Sequence, residues 1–340
     1  MIKEGERNES VNRGKLILEA TCAPADIKYS TDLGLLNQAR EQTEKIVDIL
    51  YNQLEEKAEK KPRMYRGLGR KEYLEIAKKR RPSKKKRGKA IKKQLQHVNR
   101  NLGYIEQLQL SGAKLEWLST QEYKLLLVVA EVYRQQLWMY ENNQHRIDDR
   151  IVSLTQPHVR PIVREKAGTP VEFGAKLSVS YYNGYVFLDR ISWNNFNESG
   201  DLKAQIEKFK NSTGFYPESV HVDQIYRSRE NRIWCKERGI RISGVPLGRP
   251  PKNISKETKK QAQLDERVRN CIEGKFGEAK RRSSLNRVMA KLSHTSQTVI
   301  AITFLVMNLM AMVRQIRLPF FVFISSQLLL SVSAINKNYI

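Results

Sequence analysis

Two hydrophobic periods run along this chain, and the switch between them divides it. "GKLILEATCAP" (14–24) is an almost unbroken apolar run ended by Pro24, the pattern of a short buried strand. Residues 32–60 take helical spacing, with Leu35, Leu36, Ala39, Ile46, Ile49, Leu50 and Leu54 on one stripe and Asp32 placed to cap the start. Helical periodicity resumes over 90–111 and 120–141, where Leu125, Val128, Val129, Val132, Leu137 and Tyr140 line a stripe. After an irregular stretch, 153–170, the period becomes two. "FGAKLSVSYY" (173–182) and "GYVFLDRISW" (184–193) read as strands joined at Asn183-Gly184, a strong hairpin signal.

The remainder alternates. A helix is expected at about 200–212, then the strand "SVHVD" (219–223), a helix near 228–238 ended by Gly239, and a strand at 240–246 closed by Pro246. A polar, basic linker at 247–260 leads to a helix over 261–282 and further helix to about 313. With the helical segment set aside, the order is β-β-β-α-β-α-β-α. A hairpin feeding alternating helices and strands implies an α/β fold, a mixed sheet flanked by helices, with a large basic helical insertion after the first strand. The expected division is 1–34 for the first strand segment, 35–155 for the insertion, 156–313 for the rest of the sheet domain and 314–340 for an apolar tail.

Charge adds a partner to this picture. The 340 residues carry 61 Lys and Arg against 36 acidic residues, a formal net charge of +25, which points to a polyanion and to nucleic acid before an acidic membrane. The excess is concentrated in "KKRRPSKKKRGKAIKK" (78–93), where eleven of sixteen residues are basic and Pro82, Ser83 and Gly88 interrupt, so a loop or half-ordered arm is expected. Cys22, Cys235 and Cys271 are few, odd in number and widely spaced, which argues for a reducing, cytoplasmic setting without disulfides. The five histidines form no zinc spacing with them. P-loop and dinucleotide-binding patterns are missing, so no small-molecule cofactor is expected. Two apolar runs, 299–313 and 318–334, are shorter than the roughly 20 residues a spanning helix needs. The first is read as a core helix. Association with a membrane through 299–334 is the alternative they leave open.

Three carboxylates then stand out by position: Glu19 in the first strand, Asp223 at the end of "VHVD", and Glu273 on the helix after the linker. If the first strand and "SVHVD" are neighbours, their acids meet, and the late helix can lay a third beside them. Clustered carboxylates repel unless a cation neutralises them, and an all-oxygen set suits Mg²⁺ or Mn²⁺, as two ions in a phosphodiester-cleaving site. On the helix, Arg269, Glu273, Gly277 and Lys280 share one face. Capping acids and ordinary ion pairs are the plainer alternatives at each position.

Four stretches, taken in order, resemble a DDE transposase of a bacterial insertion sequence. These are "LILEATCAPADIKYSTDLGLLNQARE" (16–41), "QPHVRPIVREKAGTPVEFGAKLSVSYYNGYVFLDRISWNNFNE" (156–198), "GFYPESVHVDQIYRSRENRIWCKERGIRISGVPLGRPP" (214–251) and "RNCIEGKFGEAKRRSSLNRVMAKL" (269–292). The resemblance covers about 14–313. It implies a ribonuclease-H-like catalytic fold, Glu19, Asp223 and Glu273 as catalytic and metal-holding residues, and metal-dependent strand cleavage followed by strand transfer during transposition, a form of DNA recombination. DNA would be the partner, bound by a homo-oligomer. Arg269, Glu273 and Lys280 reproduce the family's R-x3-E-x6-K spacing, with Glu266 where a tyrosine is usual. His158, Arg160 and Arg164, before the hairpin, and Lys84, Lys85, Lys86 and Arg87, in the basic run, are the expected DNA contacts. Glu19 stands where the family usually has Asp. Only eighteen residues precede it, where relatives carry a DNA-binding region, so a truncated and catalytically impaired DNA-binding remnant is the expected alternative.

Overall fold

The computed structural model describes residues 11–55, 61–163, 171–244 and 255–337, with side chains described as far as 316. Its centre is strand β1 (Lys15–Pro24). Antiparallel β3 (Val171–Tyr182) pairs along one side of it and parallel β5 (Ser219–Val222) along part of the other. Short β6 (Arg241–Ile242) adds parallel to β5, and β2 (Arg160–Val163) and β4 (Tyr185–Ser192) pair the two halves of β3. The result is a mixed α/β sheet in the order β2-β3-β1-β5-β6, with β4 beside β3.

The pleat sorts the side chains. Leu16 and Leu18 point to one face, where α5 (Leu202–Thr213) and α6 (Arg229–Glu237) supply Leu202, Ile206, Phe209 and Cys235. Ile17 and Ala23 point to the other, where α7 (Lys256–Arg282) and α8 (Ser293–Lys337) supply Ile272, Phe276, Ala279, Ile300, Phe304 and Met307. Burial on both faces is why β1 reads as a continuous apolar run. The hairpin between β3 and β4 turns at Asn183 (φ +54°) and Gly184 (φ +88°), left-handed values that Asn and Gly accept at small cost. The outer edge of β4 is closed by α8: Val186 N–H donates to Asn308 Oδ1 (2.9 Å), and Asn308 Nδ2 donates to the Val186 carbonyl (2.7 Å).

Between β1 and β2 the chain passes through four helices: α1 (Asp32–Gln53), α2 (Arg66–Ala77), α3 (Lys84–Leu110) and α4 (Thr120–Glu141). They bury their own clusters, including Ile46, Val47, Leu50, Ile105 and Leu108 in one and Ala39, Val98, Val129 and Val132 in another. Buried Arg40 is held inside this bundle by Glu44 (2.5 Å) and Asn37 (2.8 Å).

Several expectations are corrected. The basic run is not a loop from Lys84 onward. Ser83 caps α3 by accepting from Lys86 N–H, and the long aliphatic stems of Lys and Arg are compatible with helix. Thr31, not Asp32, caps α1; Asp32 instead accepts from Gln136 and Arg150. Helix α1 ends at Gln53 and α7 begins at Lys256, before the expected 261. The irregular stretch contains β2, and the expected strand at 240–246 is described only as β6. Most of the expected 247–260 linker lies outside the described residues. Residues 299–313 lie on α8, which buries Ile300, Phe304, Met307 and Ala311 but exposes Ile302, Leu305, Leu309 and Met312. Among the described residues, Ser293–Ile316 is long and apolar enough to cross a membrane, by length and composition only.

Candidate active site

Register builds the centre of the site. Leu18 is opposite Val222, the last matched pair of β1 and β5. The next residues are acids: Glu19, still on β1, and Asp223, one step past the end of β5. Neighbouring strands lie about 4.8 Å apart, so the two carboxylates start from adjacent backbone positions. Beyond Leu18 the matched β5 ladder ends, leaving that side of β1 to a cleft of about 860 Å³ lined by Glu19, Cys22, Lys176, Asn195, Glu198 and Asp223.

Each acid is oriented. Asp223 Oδ1 accepts from Gln224 N–H (2.7 Å) and caps the 3-10 turn Gln224–Tyr226, while its side chain stays exposed in the cleft. Arg227 braces the same strand end by donating to the Val222 carbonyl (2.8 Å). Its guanidinium lies against Gly244 (φ +94°), where a Cβ would come within 2.1 Å of it. Glu19 Oε1 accepts from Ala20 N–H (3.1 Å) and Oε2 accepts from Arg269 Nη1 (2.9 Å). Burial holds the Glu19 carboxyl above the usual range; the Ala20 amide and Arg269 pull it down, and the charge of Asp223 pushes it further up. Buried Tyr226 stands in the field of Glu19 and Glu198, and burial first, then those charges, raises its phenol well above the usual value.

The third acid arrives through an arginine. On α7, Arg269 Nη1 is 3.2 Å from Glu273 Oε1 and Nη2 is 2.7 Å from Glu266 Oε1, while Nη1 also holds Glu19. Glu273 is therefore linked to Glu19 by a shared guanidinium, and its own side chain is 54 % exposed. Among the described residues, no group of three or more His, Cys, Asp or Glu side chains is close enough to hold a metal ion. Glu19 and Asp223 nevertheless suit a hard divalent cation: both are oxygen donors, and their mutual repulsion is the kind of strain that such an ion relieves.

The expected DNA contacts are scattered. Lys84, Lys85, Lys86 and Arg87 stand exposed on the first turn of α3. Half-buried Lys280 is on α7, about two turns beyond Glu273. His158 packs edge-on against Trp193 (4.4 Å between centroids), and burial, then Arg160, lowers its pKa, favouring the neutral ring. Arg160 turns inward and donates to the Pro157 carbonyl. Arg164 lies outside the described residues. The cleft also contains residues that the sequence reading missed. Lys176 Nζ donates to Glu198 (2.6 Å), the Phe196 carbonyl (2.6 Å) and Asn195 (3.2 Å), fixing the loop after β4. A lysine on the same strand face as Ser178, Ser180 and Tyr182 was the signal for it.

A second set of chemistry-bearing residues is closed. Ser219 and His221 interact (3.1 Å) and His221 Nδ1 is 3.6 Å from Asp265, but Ser219 and His221 are 1 % and 0 % exposed. A nucleophile that meets no solvent serves packing, so this trio is structural.

Residues 220–310 match the family described as "Transposase DDE domain". The matched stretch, a little over a quarter of the chain, contains Asp223, Arg269 and Glu273 and leaves out Glu19. Among curated proteins, none matches this chain.

Proposed function

We propose that this chain is a DDE transposase whose sheet is ribonuclease-H-like, cleaving DNA strands at the ends of an insertion sequence and joining the freed 3′-hydroxyl to target DNA. One observation carries the proposal: Glu19 and Asp223 come together at neighbouring strand positions beside an open cleft, with Glu273 tied to Glu19, inside a chain of net charge +25. The sheet order supports it, since a central strand with an antiparallel hairpin on one side and parallel strands on the other brings those acids to one edge. The family match over 220–310 supports it from the sequence side.

Glu19 and Asp223 would hold the divalent cations, Mg²⁺ or Mn²⁺ and two in number, with Glu273 joining them. When bound, such ions supply a lowered pKa for the attacking hydroxyl and charge stabilisation at the leaving oxygen. The chain supplies the rest. Arg227 and the Gln224–Tyr226 turn keep Asp223 at its strand end. Lys176 holds the opposite wall of the cleft. Lys84 to Arg87, Lys280 and Arg269 offer cations to the phosphate backbone, which gives affinity and register without reading sequence. The exposed apolar side of α8 suits a second copy of the chain on DNA.

The test is cleavage of DNA carrying the element's ends in Mg²⁺. Asp223→Asn should lose about 100-fold or more in rate while DNA affinity stays within twofold. Equal cleavage by both proteins rejects the reading. The remnant alternative is favoured by Glu19, which places a longer side chain where the family usually has Asp. If Glu19→Asp cleaves and the wild type does not, the wild-type chain is an impaired DNA binder.

A further inference from the structure

One guanidinium meets three carboxylates on α7 and β1: Arg269 is 2.7 Å from Glu266, 2.9 Å from Glu19 and 3.2 Å from Glu273. Docking of the helix does not require this arrangement. Ile272, Phe276 and Ala279 already bury α7 against the sheet, and Asp265 ties it to β6 through two hydrogen bonds from Arg241 (2.7 and 2.9 Å). Nor is the charge balanced, since two guanidiniums, Arg269 and nearby Arg227, face four carboxylates, Glu19, Glu266, Glu273 and Asp223. Arg269 bridges Glu19 and Glu273, two of the carboxylates that would hold the ion.

We propose that Arg269 is a positioning residue that stands in for the divalent cation, holding Glu19 and Glu273 as a pair in the metal-free protein and ceding both as the cation binds. The inference rests on the metal-dependent reading above. A divalent cation held by Glu19 and Glu273 would compete with the Arg269 guanidinium for their carboxylates and repel it. Arg269 would then keep Glu266, whose side chain is 53 % exposed, and its charge would become available to a DNA phosphate. The device keeps a nearly formed acid cluster from springing apart between turnovers.

The experiment is a Mn²⁺ titration of the full chain followed by electron paramagnetic resonance, with thermal melts at zero and saturating Mn²⁺. Wild type, Arg269→Gln, Arg269→Lys and Asp223→Asn are compared. Arg269→Gln removes the competitor, so Mn²⁺ should bind about tenfold tighter, within the range of ordinary coupling between ligands. Its metal-free melting temperature should fall, and the deficit should close at saturating Mn²⁺. Arg269→Lys, a point charge able to reach fewer oxygens, should bind Mn²⁺ with an affinity between the two, and it decides the matter if Arg269→Gln does not fold. Unchanged or weaker Mn²⁺ binding in the neutral variant, or a melting deficit that Mn²⁺ leaves in place, overturns the inference and leaves Arg269 as a structural tether. Mn²⁺ binding that depends on Asp223 but not on residue 269 sinks this inference alone. Binding that does not depend on Asp223 sinks the metal-site reading and the inference with it.

Discussion

Asp265 and Arg269 stand one turn apart on α7 and belong to two ion clusters of opposite design. Asp265 is almost fully buried, yet its carboxyl lies below the usual range: burial pushes it up, and hydrogen bonds from Arg241 and Gln261 more than offset that. Glu19, held by Arg269, lies above the usual range because burial and Asp223 outweigh its partners. The first cluster is satisfied and closed, with His221 and Ser219 sealed beside it. The second keeps an excess of negative charge beside an open cleft. Strain of that kind persists where a ligand relieves it, so the contrast fits the first cluster to a scaffold and the second to the proposed site.

Removing the buried acid from each cluster should therefore have different effects on stability. Asp265→Ala removes both Arg241 hydrogen bonds and leaves buried His221 facing an apolar gap. It should cost about 2–3 kcal/mol, at the lower end because Arg241 is partly solvated, read as a lowered midpoint in urea denaturation. Neutralising Lys84, Lys85, Lys86 and Arg87 together to Gln should have the next largest effect on folding, in the other direction. Four cations on the first turn of α3 oppose the helix dipole, and removing them should stabilise the protein by up to about 1 kcal/mol. The same variant should bind DNA with a log–log salt slope smaller by about 3.6, near 0.9 for each of four phosphates no longer neutralised. An unchanged slope would show that the basic turn of α3 points away from DNA.

Glu19→Gln is the smaller change, and its sign is informative. A carboxyl whose folded-state pKa is raised charges at a cost, so ionised Glu19 subtracts stability above that pKa. Removing its charge should leave the protein as stable as wild type at neutral pH, or slightly more so. The pH profile sharpens this further. For Asp265, with its lowered folded pKa, stability is present above the ordinary Asp range near 4 and is lost as pH falls through the folded value. For Glu19 the penalty is lifted as pH falls through its raised value. Chemical denaturation of Glu19→Gln and wild type should therefore converge on the acid side of that value. Divergence there would contradict the assignment.

Much of this architecture was legible in the sequence, for physical reasons that can be named. Period-two patterning and Asn183-Gly184 located the β3–β4 hairpin, and helical stripes located α4, α5 and α7. The three acids were legible as strand-end and helix-face positions. Elements with no periodic signal of their own were missed. Strand β2 contains Pro161 and forms because β3 extends past β4 and offers it an edge. Helix α2 carries two glycines and many charges. Gly69 within it packs directly on Arg40, a residue far away in the sequence. The same limit hid the central link of the site. Arg269 and Glu19 are 250 positions apart, and nothing local to either announces that one guanidinium joins the first and third acids. Exposed run 78–93 misled in the opposite way, since its charge suggested an arm while its capping serine and long side chains make much of it helix.

The proposed chemistry requires that Glu19 and Asp223 form a divalent-cation site. Counting Mn²⁺ bound by the wild-type chain and by the Glu19→Gln/Asp223→Asn double variant, both folded by circular dichroism, tests it most directly. The wild type should bind Mn²⁺ tightly and the double variant should not. Equal Mn²⁺ in both proteins would contradict it.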